Sequence, residues 1–306
     1  MRILFMGTPD IAASCLRTML DAGLDVAAVF TQPDRPKGRG MKLAASPVKQ
    51  LALERGVAIY QPAKIRRCQP LFEEIQPELV VVAAYGRILP DWMLNWAKYG
   101  CINMHASLLP RWRGAAPIQR AVAAGDTLGG VTTMHVVSEL DSGDIIFQAT
   151  TLITEEDTYG SVYERYAKLG GELLVKTVRA LEDGTAPRIV QDPSLVTFAP
   201  PVEKEEGRVD WTRPAAAIRD TIRGFNPAPV AFCMLGGENI KLYTARVGHG
   251  SGAPGEVISA DPATGLEVAA GEGSVIITEL QSPGKRRMDA GAWLRGHRIV
   301  PGTRLE

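Results

Sequence analysis

Apolar runs separated by glycine and proline turns divide the first half of the chain into alternating strands and helices. Residues 2–6 form the first run, and Gly7-Thr8-Pro9-Asp10 turns it into a helix expected over 11–22. Strand, glycine turn and helix together predict the first half of a doubly wound α/β unit. A second strand is expected over 25–31, and Ser46 followed by Pro47 marks the start of a helix to about residue 55. A short strand over 57–60 and a helix over 71–75 come next. Residues 79–84 are apolar throughout, as a central parallel strand covered on both faces requires. A helix is expected over 115–124 and strands over 130–137 and 145–153. Val162, Tyr166, Leu169, Leu173, Leu174, Val178 and Leu181 repeat at helical spacing, which predicts one long core-packing helix over 159–182.

The pattern changes after residue 190. Pro193, Pro200 and Pro201 precede Glu203-Lys204-Glu205-Glu206, which suggests an extended linker over 191–206. One helix is expected over 215–223. Short strand-like runs follow at 230–235, 240–247, 255–259, 266–270 and 274–280. Strands of this length and spacing, divided by Gly, Pro and Asp turns, predict a small β-barrel of the OB type. The expected fold is therefore α/β, doubly wound and Rossmann-like with a mostly parallel sheet, plus a C-terminal OB-type β-barrel domain. The expected division is a catalytic domain over 1–190, the linker over 191–206 and a nucleic-acid-binding domain over 207–306.

Composition narrows the functional classes. The 34 basic and 34 acidic side chains balance, so no global positive field advertises nucleic acid and any such binding must use local patches. Cys15, Cys68, Cys101 and Cys233 are scattered without metal-ligand or redox spacing, which suits a reducing cytoplasm and implies no metal. No long apolar span is present, so no membrane crossing is expected, and the amino terminus opens on a strand-like run rather than a targeting segment.

The chemistry concentrates in residues 101–117. Strand alternation in Ile102-Asn103-Met104-His105 puts an amide and an imidazole on one side at what reads as the carboxyl end of a strand. Ligands of open α/β sheets bind at that end. A hydrogen-bonded rim histidine beside a turn-capping asparagine is the plain alternative. The loop that follows, Leu108-Leu109-Pro110 with Arg111 and Arg113, offers apolar contact and two cations, a combination suited to a flat, partly anionic ligand. Residues 85–90 leave the strand at 79–84 and are expected close by. Gly7 lies in a turn without the three-glycine dinucleotide fingerprint, and reads as a turn device. Residues 32–42 are dense in Pro, Gly and positive charge, which fits either a solvated surface loop or a cationic arm that orders on RNA. Lys285-Arg286-Arg287 and Arg295, His297 and Arg298 are basic clusters of the same two-sided kind.

The wording of these stretches resembles a known family. Asn103-Met104-His105, followed by Ser107-Leu108-Leu109-Pro110-Arg111-Trp112-Arg113-Gly114-Ala115-Ala116-Pro117 and later by Glu139-Leu140-Asp141-Ser142-Gly143-Asp144, is similar to the signature of the 10-formyltetrahydrofolate-dependent formyltransferases. It is most similar to the branch whose acceptor is initiator methionyl-tRNA. The resemblance implies a catalytic set of Asn103, His105 and Asp141. It implies 10-formyltetrahydrofolate as co-substrate, with Tyr85, Gly86, Arg87, Ile88 and Leu89 meeting the pterin largely through backbone groups. Ser107, Leu108, Leu109 and Pro110 would line the same groove. Arg35, Lys37, Arg39 and Lys42 would reach the tRNA acceptor stem, with Lys285, Arg286 and Arg287 adding contacts from the C-terminal domain. That domain also resembles the family through Gln281-Ser282-Pro283-Gly284-Lys285 and Trp293-Leu294-Arg295-Gly296. A cytoplasmic monomer is expected. The sequence departs from the family where Ala228 replaces an aromatic residue and Val230 a glycine. Two other readings stay open: the same chemistry on a sugar-nucleotide amine or on water, and a non-catalytic RNA-binding protein.

Overall fold

The computed structural model describes residues 1–37 and 42–306, excluding the side chains of Lys37 and Lys42. The strands are β1 (Ile3–Gly7), β2 (Val26–Phe30), β3 (Arg35–Lys37), β4 (Lys42–Ala44), β5 (Ala58–Tyr60), β6 (Leu79–Ala83), β7 (Cys101–His105), β8 (Arg113–Gly114), β9 (Leu128–His135), β10 (Ile145–Leu152), β11 (Phe198–Ala199), β12 (Ala231–Leu235), β13 (Glu238–Gly248), β14 (Val257–Asp261), β15 (Gly265–Ala269), β16 (Ser274–Gln281) and β17 (Met288–Asp289). The α-helices are α1 (Asp10–Asp21), α2 (Pro47–Arg55), α3 (Gln69–Ile75), α4 (Asp91–Leu94), α5 (Pro117–Ala123), α6 (Tyr159–Glu182), α7 (Ala215–Gly224) and α8 (Ala290–Leu294).

The chain packs as two compact units. The first comprises residues 1–114, 128–152 and 163–198; the second comprises 115–127, 153–162 and 199–306.

A seven-stranded sheet in the order β10-β9-β7-β6-β1-β2-β5 forms the frame of the first unit. The five strands from β5 to β7 run parallel, β9 runs antiparallel to β7, and β10 antiparallel to β9. The mostly parallel α/β sheet expected from the apolar runs is therefore present. β1 and β6 are buried at every position, as strands covered on both faces must be. The order reverses between β1 and β6, and such a switch opens a crevice beyond the carboxyl ends of the strands. Gly7 ends β1 where a Cβ would fall 2.6 Å from Ala12 Cβ and 2.8 Å from the Ala83 carbonyl oxygen. Its role is the close approach of strand and helix. Gly170 of α6 has the same function, since a Cβ there would lie 2.9 Å from Met104 Sδ in β7.

Residues 35–37 and 42–44 depart from the expected loop. Arg35–Lys37 and Lys42–Ala44 pair as a short antiparallel ladder. Arg39 lies outside the described residues.

The second unit carries an antiparallel sheet in the order β12-β13-β16-β15-β14, with β17 added to β16. Ile240 and Leu242 of β13 are buried on either side of exposed Lys241, the period of a strand with one covered face. Ala215, Ile218 and Ile222 of α7 join the sheet's buried core, together with Trp293 and Leu294 of α8. The five expected strands are all present. Among the described residues, the strand path ends at β12 and β14 without closing on itself. Residues 191–206, expected as a linker, hold two short 3-10 turns at Pro193–Leu195 and Lys204–Gly207.

Candidate active site

β6 and β7 place Asn103 beside Val82 and Met104 beside Ala83, so the last residues of β7 stand at the carboxyl end of the parallel sheet. Asn103 is half-buried, and among the described residues its side-chain amide makes no hydrogen bond within the protein. A half-buried amide without a protein partner is a donor and acceptor offered to something else.

His105 is only 6% exposed, and both of its ring nitrogens face oxygen. Nε2 lies 2.9 Å from the Trp112 carbonyl oxygen, which can only accept, so Nε2 carries a proton in this arrangement. Nδ1 lies 3.6 Å from Asp141 Oδ2, within ion-pair range but long for a hydrogen bond. Asp141 Oδ2 also accepts from the Gly114 amide at 2.8 Å. The imidazole is thus held between a loop carbonyl and a carboxylate that is itself anchored.

The loops around this point carry strain. Ala84, Trp112 and Asp141 adopt positive φ angles of 46°, 63° and 48°. Non-glycine residues seldom adopt that conformation, and it persists where surrounding contacts over-determine it. Two residues on, Gly143 packs against β9 so closely that a Cβ would fall 1.8 Å from the His135 carbonyl oxygen. Gln191 completes the anchorage: its Nε2 donates to the carbonyls of Asp141 and Gly143, each at 2.8 Å.

Two expectations about the 107–113 loop are corrected. Leu109 is 3% exposed and packs with Met134 and Ile145, so its side chain is not exposed in the loop. Arg113 is 7% exposed, and its Nε and Nη2 donate to Gln191 Oε1 at 3.1 and 2.8 Å, so this cation is spent inside the protein. Ser107 is also buried, with its hydroxyl donating to the Arg111 carbonyl at 2.7 Å. The loop is clasped from β9 and β10: Thr132 Oγ1 donates to the Ser107 carbonyl and accepts from the Leu109 amide, while Gln148 Nε2 donates to the Leu109 carbonyl. Of residues 107–110, Leu108 and Pro110 are half-buried and keep a solvent-facing surface.

The 85–89 loop divides in the same way. The Tyr85 ring is buried, its hydroxyl has no partner among the described residues, and burial pushes its pKa up to about 12. Its carbonyl accepts from Gln32 Nε2 at 2.8 Å. Gly86 has a φ of 77° and lies so close to Gln32 that a Cβ would meet Nε2 at 2.8 Å. Arg87 turns away to donate to the Ala63 carbonyl at 2.6 Å. Ile88 is 88% exposed, and Leu89 packs at the edge of the core. Burial pushes the thiols of Cys15, Cys101 and Cys233 up to about 12, so none of them is a ready nucleophile. Burial, reinforced by Arg188, holds His135 below the ordinary histidine range. Among the described residues no group of three or more His, Cys, Asp or Glu side chains is placed to hold a metal ion.

This constellation can be set against known proteins. The model of the formyl transferase family matches residues 1–178, and that of the formyl transferase C-terminal domain matches 201–298. The chain belongs to the formyl transferase family. As a formyltransferase it is 50% identical to the methionyl-tRNA formyltransferase of Stutzerimonas stutzeri (strain A1501), with 100% of this chain and 98% of that protein covered. It is 46% identical to the methionyl-tRNA formyltransferase of Trichlorobacter lovleyi, over 99% of this chain and 96% of that one. Its fold is shared with an N-formyltransferase from Helicobacter canadensis solved with folinic acid and dTDP-3-aminofucose, at a TM-score of 0.69 and 16% identity over 92% of this chain and 98% of that chain.

The basic candidates of this formyltransferase are not equivalent. Arg35 is exposed and donates to Gln32 Oε1 at 2.7 Å. Lys37 and Lys42 are backbone partners in the β3–β4 ladder. Lys285 and Arg286 are exposed and form no ion pair among the described residues. Arg287 is committed: its guanidinium pairs with Glu279 and lies 4.3 Å over the Tyr243 ring. Val230, where the family resemblance leads one to expect glycine, has a φ of 77°, a conformation glycine adopts without strain. Sequence reasoning missed Gln32, Thr132, Gln148 and Gln191. Isolated amides and hydroxyls in strands and connections carry no motif, and only the fold brings them to the site.

Proposed function

We propose that this formyltransferase moves the formyl group of 10-formyltetrahydrofolate to the free α-amino group of initiator methionyl-tRNA, giving N-formylmethionyl-tRNA for translation initiation. The two methionyl-tRNA formyltransferases at 46–50% identity over nearly the full chain support that acceptor. The observation that carries the chemistry is the meeting of His105 and Asp141, 3.6 Å apart, beside the unpartnered Asn103 amide at the carboxyl end of β7.

Bound 10-formyltetrahydrofolate supplies the acyl donor at N10. An α-amino group has an ordinary pKa of about 7.7–8.0, so a useful share is neutral and nucleophilic near pH 7. The new bond joins the amine nitrogen to the formyl carbon, and the bond from that carbon to N10 breaks. Asn103 donates its amide N–H to the negative charge that develops on the formyl oxygen. His105 Nε2 turns from the Trp112 carbonyl to hand its proton to the departing N10 and takes at the same nitrogen the proton that the amine loses, while Nδ1–H stays beside Asp141 so that the ring never becomes an anion. Asp141 orients the ring by its approach to Nδ1. The proton lost by the amine ends on N10, so no covalent enzyme intermediate is needed.

The loop at 85–89 offers backbone groups and the exposed Ile88 to the pterin, and Leu108 and Pro110 add half-buried apolar surface to the same groove. The ladder at 35–44 and the cations Lys285 and Arg286 supply phosphate contacts that carry no sequence information themselves. We read residues 1–190 as catalytic, 191–206 as a linker and 207–306 as an OB-type, RNA-binding domain in a cytoplasmic monomer.

Purified protein with 10-formyltetrahydrofolate and charged initiator tRNA should yield formylmethionyl-tRNA, and absence of product would overturn the reading. Deleting 35–42 should cost formylation of tRNA far more than formylation of a small amine. Equal losses would point to a small-molecule acceptor.

A further inference from the structure

The strongest unassigned arrangement in the first unit is the buried amide of Gln191. It lies 50 residues beyond Asp141, in the stretch expected from sequence to be a linker. Its side chain is 6% exposed and its hydrogen-bonding capacity is filled. Oε1 accepts twice from Arg113, and the two N–H groups of Nε2 go to the Asp141 and Gly143 carbonyls.

We propose that Gln191, held by Arg113, is a positioning residue for the formyl-transfer reaction: it pins the 141–143 turn so that Asp141 faces His105. The proposal rests on the reading that Asp141 serves His105 in catalysis. Asp141 sits at a φ of 48°, a conformation it would leave if unsupported. Its carboxylate meets His105 at 3.6 Å, so a small relaxation of the turn would break that approach. One amide holding two carbonyls of a single turn opposes such relaxation directly. Arg113 keeps the amide from rotating, because its fork of donors accepts only one orientation of the Gln191 oxygen. The other charged groups facing this turn are Glu139, 3.8 Å from Arg113 Nη1, and Asp144, which is paired with Arg188.

Gln191→Glu separates positioning from general support. Its carboxylate keeps an acceptor for Arg113 but gives the two carbonyls no donor. We expect kcat for formylation to fall about 10²-fold, the scale of an ångström-sized misplacement. KM for tRNA and for the formyl donor should stay at the wild-type values, because Gln191 is proposed to act on the reaction through the placement of Asp141 beside His105 rather than by holding either substrate. In 15N spectra of the substrate-free protein, the His105 Nδ1 resonance should move while Nε2, held by Trp112, stays. Gln191→Asn, which keeps the amide one methylene short, should give a smaller loss of the same kind and serves if the Glu variant does not fold. Thr177→Val, which breaks the equally buried bond to Thr133, should leave kcat unchanged. Wild-type kcat in a folded Gln191 variant, or an unmoved Nδ1 resonance, would overturn the proposal. Failure of the wild-type protein to formylate tRNA would instead overturn the proposed function, while the spectra still decide whether Gln191 places Asp141.

Discussion

In the seven-stranded sheet of the first unit, β7 ends in Asn103 and His105, and the imidazole is almost wholly enclosed by protein. In the antiparallel sheet of the second unit, the turn between β16 and β17 holds Lys285 and Arg286 out in solvent. The first region spends polar side chains on each other: His105 on Trp112 and Asp141, Arg113 on Gln191, and Gln191 on the 141–143 turn. In the turn of the second, Lys285 and Arg286 form no ion pair among the described residues, while Arg287 is committed to Glu279. Buried polar groups must be satisfied, so a site that positions atoms is necessarily a network. A surface that attracts a polyanion needs charge rather than geometry, and can leave its side chains free.

Breaking the enclosed network should have the largest effect. His105→Ala should lower the formylation rate by about 10²–10⁴-fold, the usual range for a general acid–base group. Asn103→Ala should lower it by about 10²–10³-fold, the loss expected for one oxyanion donor. Single-turnover assays with thermal melts check both, and full activity in either folded variant would dissolve the contrast between the regions. Next comes the core beneath the loop. Leu109→Ala should destabilise the protein by about 2–5 kcal/mol, whereas the half-buried Leu108 should tolerate the change better. Urea midpoints of the two variants compare them directly.

The exposed region should respond more gently and through salt. Lys285→Ala with Arg286→Ala should flatten the dependence of log Kd for tRNA on log salt by about 2, or about 1 for each phosphate no longer neutralised. Arg287→Ala should flatten it less, because its guanidinium already serves Glu279. An equal change from Arg287 would show that the ion pair opens on binding. The smallest effect concerns the base of the β3–β4 ladder. The Lys49 ammonium, aided by the Gln61 amide, holds the Asp34 carboxyl below its ordinary range. A lowered folded pKa means the contact stabilises above the unfolded value of about 3.9 and fades as pH falls through the folded one. Asp34→Asn should therefore be less stable than wild type near neutrality, with the gap closing in acid. A gap in denaturant midpoint that stays constant with pH would exclude the ion pair as its cause.

Much of this protein could be read from its residues in order. Apolar runs at 79–84 and 2–6, helical spacing over 159–182 and the short strands after 230 all follow local rules, and each element is found within a few residues of its expected place. Alternation alone put Asn103 and His105 on one side of a strand. The ladder of 35–37 with 42–44 was hidden because proline and charge have no strand period, and pairing rather than propensity makes it.

What the sequence by itself determined was which groups are present and which neighbours along the chain share a face. Whether a given side chain is offered or spent was decided only by the tertiary structure. Leu109 and Arg113 look available in a loop, yet one is packed in a core and the other is bound to an amide 78 residues away. Gln191 has no local feature to mark it, and it gains a place beside Asp141 because burial forces each polar atom to find a partner wherever the fold brings one.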